Sequence, residues 1–197
     1  MTVPTLTYFN GRGKAEIIRL ILTYLKIEFK DERLTAGVPE ELRARLPYAQ
    51  VPLYQDGEIT LAQSAAISRY IANKHNFAGA NAVEKALVDA VVDSVADVIA
   101  PFRAATDDAA KLKYKNETLP KFVGRWEANL KANGGQYFVG SGYTWGDLCI
   151  YYGLFFLHSS GLAEELKQFP TLSAFYTAIE SIPQIAAYLQ ARPVTAF

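Results

Sequence analysis

The chain has 197 residues, half of them hydrophobic, and its 20 Lys and Arg side chains balance its 20 Asp and Glu side chains. A zero net charge argues against a nucleic-acid partner, which would select a basic surface. The single cysteine, Cys149, excludes a disulfide framework and a cysteine-based zinc site, and it favours a reducing cytoplasmic compartment. The longest uncharged run, residues 148–163, is too short for a membrane span, so we expect no membrane insertion.

The first part of the chain mixes strand and helix patterns. The predicted elements, in chain order, are strand 3–8, a helix with an apolar stripe over 17–25, strand 27–34, a short helix in the following loop, strands 51–54 and 59–61, and helix 63–74. Asp56-Gly57 marks the tip of the hairpin between the last two strands. The order β-α-β, short helix, β-β-α predicts a small α/β domain over residues 1–75.

Strand patterns nearly vanish after a short linker at residues 76–81, and residues 82–197 are predicted to form an all-helical domain. Helical periodicity covers 83–105, 114–132, 144–159, 172–181 and 184–190. Pro101 and Pro120 lie inside the first two of these patterns, so each predicts a kink or a restart of its helix.

Tyr8 stands at the end of the first predicted strand, beside a Gly11-Arg12-Gly13 turn that leads into a helix. This position places its phenol at the carboxyl edge of the sheet, where α/β folds expose ligand sites. A neutral tyrosine hydroxyl donates a hydrogen bond to a developing anion while keeping its own proton. The structural alternative is a ring that simply packs against the helix.

Two further elements are suited to binding a peptide-like ligand. Val51-Pro52 precedes a strand and is a candidate cis peptide bond, which would leave the Val51 backbone groups to pair with an extended chain. Gln63-Ser64 opens a helix; Ser64 is suited to an N-cap, and the same helix start is suited to holding a carboxylate. These two interpretations of Ser64 are compatible.

Two patterns in the helical part have mainly structural interpretations. Asp89, Asp93 and Asp97 recur every four residues along one helix face, which indicates a solvated or subunit-facing stripe rather than a metal site, because no histidine is near. Thr144 and Asp147 have the spacing of a helix capping box.

Three segments together resemble a cytosolic glutathione S-transferase of the tyrosine type, closest to the sigma class, which includes prostaglandin D synthases. They are Leu6–Leu22 (LTYFNGRGKAEIIRLIL), Leu46–Ala72 (LPYAQVPLYQDGEITLAQSAAISRYIA) and Gly142–Asp147 (GYTWGD). The resemblance covers the full chain and implies a thioredoxin-like N-terminal domain, an all-helical C-terminal domain and a homodimer.

By this resemblance, Tyr8 donates to the glutathione sulfur and Val51 pairs with the cysteinyl backbone. Gln63 and Ser64 hold the γ-glutamyl carboxylate, and Asp97 reaches the γ-glutamyl amine in the neighbouring subunit. The full implied glutathione site is Tyr8, Lys14, Arg43, Gln50, Val51, Pro52, Gln63, Ser64 and Asp97. The implied electrophile pocket is Phe9, Gly13, Ile99, Tyr152, Phe156 and Phe197.

The chain departs from the sigma-class pattern at two places. Lys14 stands where relatives often carry Arg, and the second loop reads Gly37-Val38-Pro39-Glu40 without the tryptophan often found before Pro-Glu. Both changes affect glutathione affinity more than the sulfur chemistry, since Lys14 keeps its charge but loses bidentate geometry.

The resemblance favours conjugation of reduced glutathione to hydrophobic electrophiles, with glutathione as co-substrate and no other cofactor or metal. One alternative is glutathione-dependent isomerisation of a prostaglandin endoperoxide, which the missing tryptophan and an acidic cluster broken at Ala96 disfavour. The other is a non-enzymatic lipophile-binding or storage protein on the same fold, against which the retention of Tyr8, Gln63 and Ser64 argues.

Overall fold

The computed structural model describes residues 3–195, which form two compact units. The first unit contains the chain up to His75 together with the segment that starts at Pro183, and the second contains Asn76–Ile182. The chain therefore leaves the first unit and returns to it, so that unit is discontinuous in sequence.

The first unit is built around a four-stranded mixed sheet. Its elements are β1 (Thr5–Phe9), α1 (Glu16–Tyr24), β2 (Lys30–Leu34), α2 (Glu40–Arg43), β3 (Leu53–Asp56), β4 (Ile59–Ala62), α3 (Ser64–Lys74) and the returning α10 (Pro183–Ala191). The strand order is β2-β1-β3-β4; β1 is parallel to β2 and antiparallel to β3, and β3 and β4 form the predicted hairpin. The expected βαβ-α-ββα order is confirmed.

The core of the first unit lies between the sheet and the helices α1 and α3. The apolar stripe of α1 is buried at Ile18, Leu20 and Ile21, and α3 contributes Ile67 and Ile71. Burying an aliphatic side chain of this size stabilises a fold by about 1.5–3 kcal/mol, so this stripe explains why α1 packs firmly against the sheet.

The returning helix α10 packs on α1 of the first unit. Ile185 of α10 is fully buried, and the Gln184 side chain donates a hydrogen bond of 3.1 Å to the Tyr24 carbonyl at the end of α1. The sequence boundaries instead place everything from residue 82 onward in the helical domain. An amphipathic pattern shows that a helix has a face to bury, but it does not show which surface will cover that face.

The second unit is helical throughout its described elements, as predicted. They are α4 (Ala82–Ala104), α5 (Asp108–Lys113), α6 (Leu119–Ala132), α7 (Trp145–Leu157), α8 (Ala163–Leu166) and α9 (Pro170–Glu180), with π-helical turns at Tyr114–Thr118 and His158–Leu162. Residues 76–81, predicted as a linker, belong to this unit; Phe77 is buried and its carbonyl accepts the Trp145 N–H at 3.0 Å. Across residues 3–195, no helix combines the length and apolarity needed to cross a bilayer.

The two proline predictions have different outcomes. α4 continues through Pro101 to Ala104, so the helix does not restart there, and it ends within one turn of the proline. α6 does restart around Pro120, which occupies its first turn where a missing N–H costs no hydrogen bond.

The capping box at the start of α7 is confirmed. The buried Asp147 carboxylate accepts hydrogen bonds from the Phe138 N–H at 2.8 Å, the Thr144 N–H at 2.7 Å and the Thr144 hydroxyl at 2.8 Å. Burial raises the pKa of Asp147, and these hydrogen bonds oppose that shift. Asp147 thus joins the preceding loop to the first turn of the most buried helix in the unit, which is a structural role.

Candidate active site

Tyr8 lies one residue before the end of β1, with its side chain half-buried. Its hydroxyl oxygen accepts a hydrogen bond from the Lys14 N–H at 3.2 Å, and its ring meets Phe9 edge-on with the ring centroids 5.4 Å apart. A phenol oxygen both accepts and donates. Because the Lys14 backbone uses an acceptor position of this oxygen, the Tyr8 proton is oriented toward a different partner.

Gly13 makes this close approach sterically possible. Its φ is +41°, and a Cβ atom added there would lie 2.5 Å from the Tyr8 hydroxyl oxygen and 2.9 Å from a ring carbon. Gly13 begins a short 3-10 turn, Gly13–Ala15, that runs directly into α1. The glycine predicted as a pocket residue is therefore the residue that allows the turn to pack against the Tyr8 hydroxyl.

The Val51-Pro52 peptide bond is cis, which confirms the candidate cis bond identified in the sequence. Val51 is half-buried and precedes β3, whereas Pro52 is buried. Within residues 3–195, the Val51 N–H and carbonyl make no backbone hydrogen bond, so both groups remain available to an extended ligand.

The start of α3 differs from the predicted cap at Ser64. Gln63 occupies the N-cap position with φ +70°, its carbonyl accepts the Ile67 N–H at 2.9 Å, and no side chain caps the helix. Ser64 is the first helical residue, so its predicted N-cap role is wrong. The positive φ at Gln63 turns the chain one residue earlier than an N-cap at Ser64 requires, and it leaves first-turn N–H groups available for an anion.

The register of the sheet brings these elements to one edge. Thr7 of β1 pairs with Leu53 of β3, and Leu53 pairs with Ala62 of β4. The residues next beyond these pairs at that edge are Tyr8, Pro52 and Gln63. The three motifs singled out in the sequence are therefore neighbours along a single sheet edge, which is the arrangement that a common ligand requires.

Three further side chains of the implied glutathione site are exposed. Arg43 on α2 forms a surface ion pair with Glu40, its Nε lying 3.4 Å from a carboxylate oxygen. Gln50 and Lys14 are also exposed. Exposed ion pairs contribute about 0–1 kcal/mol, so a ligand carboxylate competes readily for Arg43.

Four of the remaining predicted site residues, Asp97, Ile99, Tyr152 and Phe156, lie in the second unit. Asp97 is exposed on α4, and within residues 3–195 no cluster of three or more His, Cys, Asp or Glu side chains has the arrangement of a metal site. Ile99, Tyr152 and Phe156 are half-buried, and Phe156 packs edge-to-face on Phe102 with ring centroids 5.5 Å apart. Phe197 lies outside the described residues.

Sequence reasoning missed two residues that support the Tyr8 loop. Arg19 and Glu16 are fully buried on α1, and Arg19 donates a 2.7 Å hydrogen bond to the Gly11 carbonyl. The available signal was their i, i+3 spacing beside an otherwise apolar stripe. That spacing is also common on exposed helix faces, so the sequence alone does not identify them.

Comparisons with known proteins identify the family of the chain. Residues 4–73 match the family model of the glutathione S-transferase N-terminal domain, and residues 92–192 match that of the C-terminal domain. A putative glutathione S-transferase alpha-2 from Dictyostelium discoideum is 37% identical, with 100% of this chain and 98% of the relative covered. The hematopoietic prostaglandin D synthase of Gallus gallus is 34% identical, with 97% of each chain covered.

The solved structure of a Nu-class glutathione transferase from Haemonchus contortus superposes with a TM-score of 0.92 at 30% identity, and all of both chains is covered. Similarity therefore extends over the sheet unit, the helical unit and the whole length of several relatives. The chain belongs to the glutathione S-transferase family and is a glutathione transferase.

Proposed function

We propose that the enzyme conjugates reduced glutathione to hydrophobic electrophiles, with Tyr8 as the catalytic residue that donates a hydrogen bond to the glutathione sulfur. The observation that carries this role is the Lys14 N–H at 3.2 Å from the Tyr8 oxygen. This contact uses an acceptor position of the phenol and directs its proton away from the turn.

The reaction needs a thiolate, because the thiolate rather than the thiol is the nucleophile. A free thiol has a pKa of about 8.5, and each unit by which the site lowers that value corresponds to about 1.4 kcal/mol of preferential binding of the anion. Tyr8 keeps its proton and stabilises the sulfur anion, while the thiol proton leaves to solvent. The sulfur then bonds to the electrophilic carbon, and the leaving group departs with its electron pair.

The same sheet edge supports the proposed placement of the rest of glutathione. The Val51 N–H and carbonyl pair with the cysteinyl backbone, beside Pro52. The first turn of α3, with Gln63 and Ser64, receives the γ-glutamyl carboxylate, because a helix N-terminus favours an anion. Arg43 and Gln50 approach the glycyl end, and Lys14 contributes a positive charge to glutathione binding.

We further propose a homodimer in which Asp97 binds the γ-glutamyl amine of glutathione held by the other subunit. Asp97 is exposed, and the exposed apolar residues Val83 and Leu87 lie on the same face of α4 by helical periodicity. An exposed apolar surface on the same helix as Asp97 supports a subunit contact that also presents Asp97 to a ligand.

Each unit carries apolar and aromatic residues that retain some exposure and are suited to an electrophile. They are Phe9 and Gly13 in the first unit, and Ile99, Tyr152 and Phe156 in the second. This composition supports hydrophobic electrophiles, and hence a detoxifying role, which we place in the cytoplasm because the lone Cys149 is a buried free thiol.

The test is the rate of glutathione conjugation to a generic aryl halide by the wild type and by Tyr8→Phe. We expect the variant to bind glutathione normally, to raise the pKa of the bound thiol and to lose about 10²-fold in kcat. Tyr137→Phe is the control, because it removes a tyrosine hydroxyl in the second unit. Equal turnover by Tyr8→Phe, with the thiol pKa unchanged, would overturn the assigned role.

A second candidate is glutathione-dependent isomerisation of a prostaglandin endoperoxide. It is favoured by the 34% identity to a hematopoietic prostaglandin D synthase and disfavoured by Ala96 and the missing loop tryptophan. Incubation with the endoperoxide and glutathione distinguishes these hypotheses. Formation of a product isomer supports the isomerase activity. Glutathione binding without turnover of either the endoperoxide or the aryl halide supports a lipophile carrier.

A further inference from the structure

A buried ionic network lies beneath the turn that follows Tyr8. Arg19 and Glu16 face each other one turn apart on α1, both with 0% exposure. The Arg19 Nη1 atom lies 2.7 Å from the Gly11 carbonyl oxygen and 3.3 Å from Glu16 Oε2, and its Nε lies 3.0 Å from Asp31 Oδ1. The Arg19 guanidinium therefore links the turn that follows Tyr8 to both α1 and β2.

Two residues from α10 and its C-terminal end complete the coordination of Glu16. The Tyr188 hydroxyl donates to Glu16 Oε2 at 3.0 Å, and Arg192 Nη1 lies 2.5 Å from Glu16 Oε1. Burial and the neighbouring Glu16 carboxylate raise the pKa of Tyr188, so it remains a proton donor in this contact. Glu16 is thus held between two cationic groups and a hydroxyl, and its orientation toward Arg19 is fixed from three sides.

Backbone hydrogen bonds also hold the turn on both sides of Asn10. The Asn10 N–H donates to the Leu34 carbonyl at 2.9 Å, and the Gly11 N–H donates to the Phe9 carbonyl at 2.7 Å. Three residues later, the Lys14 N–H reaches the Tyr8 hydroxyl. The turn between Gly11 and Lys14 is short and hydrogen-bonded. A shift in the position of the Gly11 carbonyl therefore moves the Lys14 N–H relative to the Tyr8 hydroxyl.

We propose that Arg19 is a positioning residue for the transferase reaction: by holding the Gly11 carbonyl, it sets the turn that brings Lys14 and Gly13 against the Tyr8 hydroxyl, and Glu16 with Arg192 and Tyr188 holds Arg19 in place. This inference rests on the proposed role of Tyr8. It extends that role to Tyr188 on α10 and to Arg192, which act through Glu16.

The direct test is Arg19→Lys, which keeps the charge but cannot contact Gly11, Glu16 and Asp31 together, because an ammonium lacks the fork of a guanidinium. The pH dependence of kcat is measured at saturating glutathione, and the bound thiolate is followed by its ultraviolet absorbance. We expect a rise in the pKa of the bound thiol, about a tenfold loss of kcat near neutral pH, and little change in glutathione affinity. Arg33→Lys is the control, because Arg33 also contacts Asp31, at 2.8 Å, and reaches the turn only through a long, exposed 3.5 Å contact with the Asn10 side chain.

A double variant separates positioning from a general loss of structure. If Arg19 acts through the phenol, Arg19→Lys has no further effect on kcat when it is combined with Tyr8→Phe, so the two losses are not additive. Additive losses, or a wild-type pH profile in a folded Arg19→Lys protein, would overturn the proposal. Failure of Tyr8→Phe to lower kcat would instead refute the proposed function itself.

A milder variant covers the case in which Arg19→Lys does not fold. Arg192→Gln leaves Arg19 intact and removes one partner of Glu16 near the surface. We expect about a twofold to threefold loss of kcat with the same direction of change in the thiol pKa. A loss of thermal stability with an unchanged pH profile would show that the network only supports the fold and would contradict the positioning role.

Discussion

Gly13→Ala gives the sharpest test of the geometry around Tyr8. The added Cβ would lie 2.5 Å from the Tyr8 hydroxyl oxygen, whereas an ordinary nonbonded contact is about 3.5 Å, so the phenol or the turn must move by about 1 Å. A displacement of this size at a catalytic group costs up to about 10²-fold in rate. The positive φ adds a backbone cost of about 1–2 kcal/mol to the folded state.

The assay compares kcat/KM for aryl halide conjugation with the free energy of unfolding in urea. Gly134→Ala is the matched control, since its φ of +85° carries the same kind of backbone cost but nothing lies within 4 Å of the added Cβ. We expect both variants to lose stability and only Gly13→Ala to lose most of its activity. A folded Gly13→Ala enzyme with the wild-type kcat/KM would refute the close contact between Gly13 and the phenol.

Three further predictions concern groups outside the Tyr8 turn. Asp147→Asn should lower the free energy of unfolding in urea by about 2–3 kcal/mol, because an amide cannot accept all three of the hydrogen bonds donated to Asp147. Burial raises the pKa of Glu127, but Lys131 and the N–H groups of Leu172 and Thr171 outweigh it, so the net pKa lies below its usual 4.5. Glu127→Gln should therefore cost about 1.5–3 kcal/mol at neutral pH, and in urea titrations its difference from the wild type should shrink as the pH falls below 4.5. Asp97→Ala should weaken glutathione binding, measured by calorimetric titration, by up to about fivefold without unfolding the protein.

Each of these changes has a control or a contrary outcome. Glu164→Gln removes an exposed ion pair to Lys167 and should change the free energy of unfolding by no more than about 1 kcal/mol. Asp93→Ala removes the same charge from the same helix and should leave glutathione affinity near the wild-type value. Wild-type affinity for Asp97→Ala in an intact dimer would remove Asp97 from the site, and wild-type stability for Asp147→Asn would contradict the capping role.

Part of the sheet-edge site could be predicted from sequence because each motif lies at the end of a short strand. The β3–β4 turn is Gly57-Glu58, one residue later than the predicted Asp56-Gly57 tip, and the hairpin register brings Pro52 and Gln63 together. The pairing of β1 with β3, which adds Tyr8, joins distant parts of the chain and is visible only in the structure. The cap of α3 was misplaced because a positive φ at a glutamine carries no sequence signal. The six-residue α5 was missed because it is shorter than the window in which helical periodicity is visible.

The buried network under the Tyr8 turn could not be predicted, for a different physical reason. A charged residue beside an apolar stripe normally marks the solvated boundary of a helix. Here the partners of Glu16 come from distant parts of the chain, and Arg192 is 176 residues away in sequence. Local patterns contain no information on such a pairing, so the burial of Glu16 and Arg19 becomes visible only in the folded molecule.

The return of α10 to the first unit affects the order in which the protein can fold during synthesis. The sheet, α1 and α3 leave the ribosome long before residues 183–195, so the Glu16 carboxylate is made without Tyr188 or Arg192 to contact. While residues 76–182 are translated, the first unit lacks two of the groups that stabilise the Glu16 carboxylate. The helical unit can fold during this time. Nascent chains that end near residue 182 should therefore hold the helical unit in a protease-resistant form while the sheet unit remains sensitive, with resistance of the sheet unit gained only when α10 emerges.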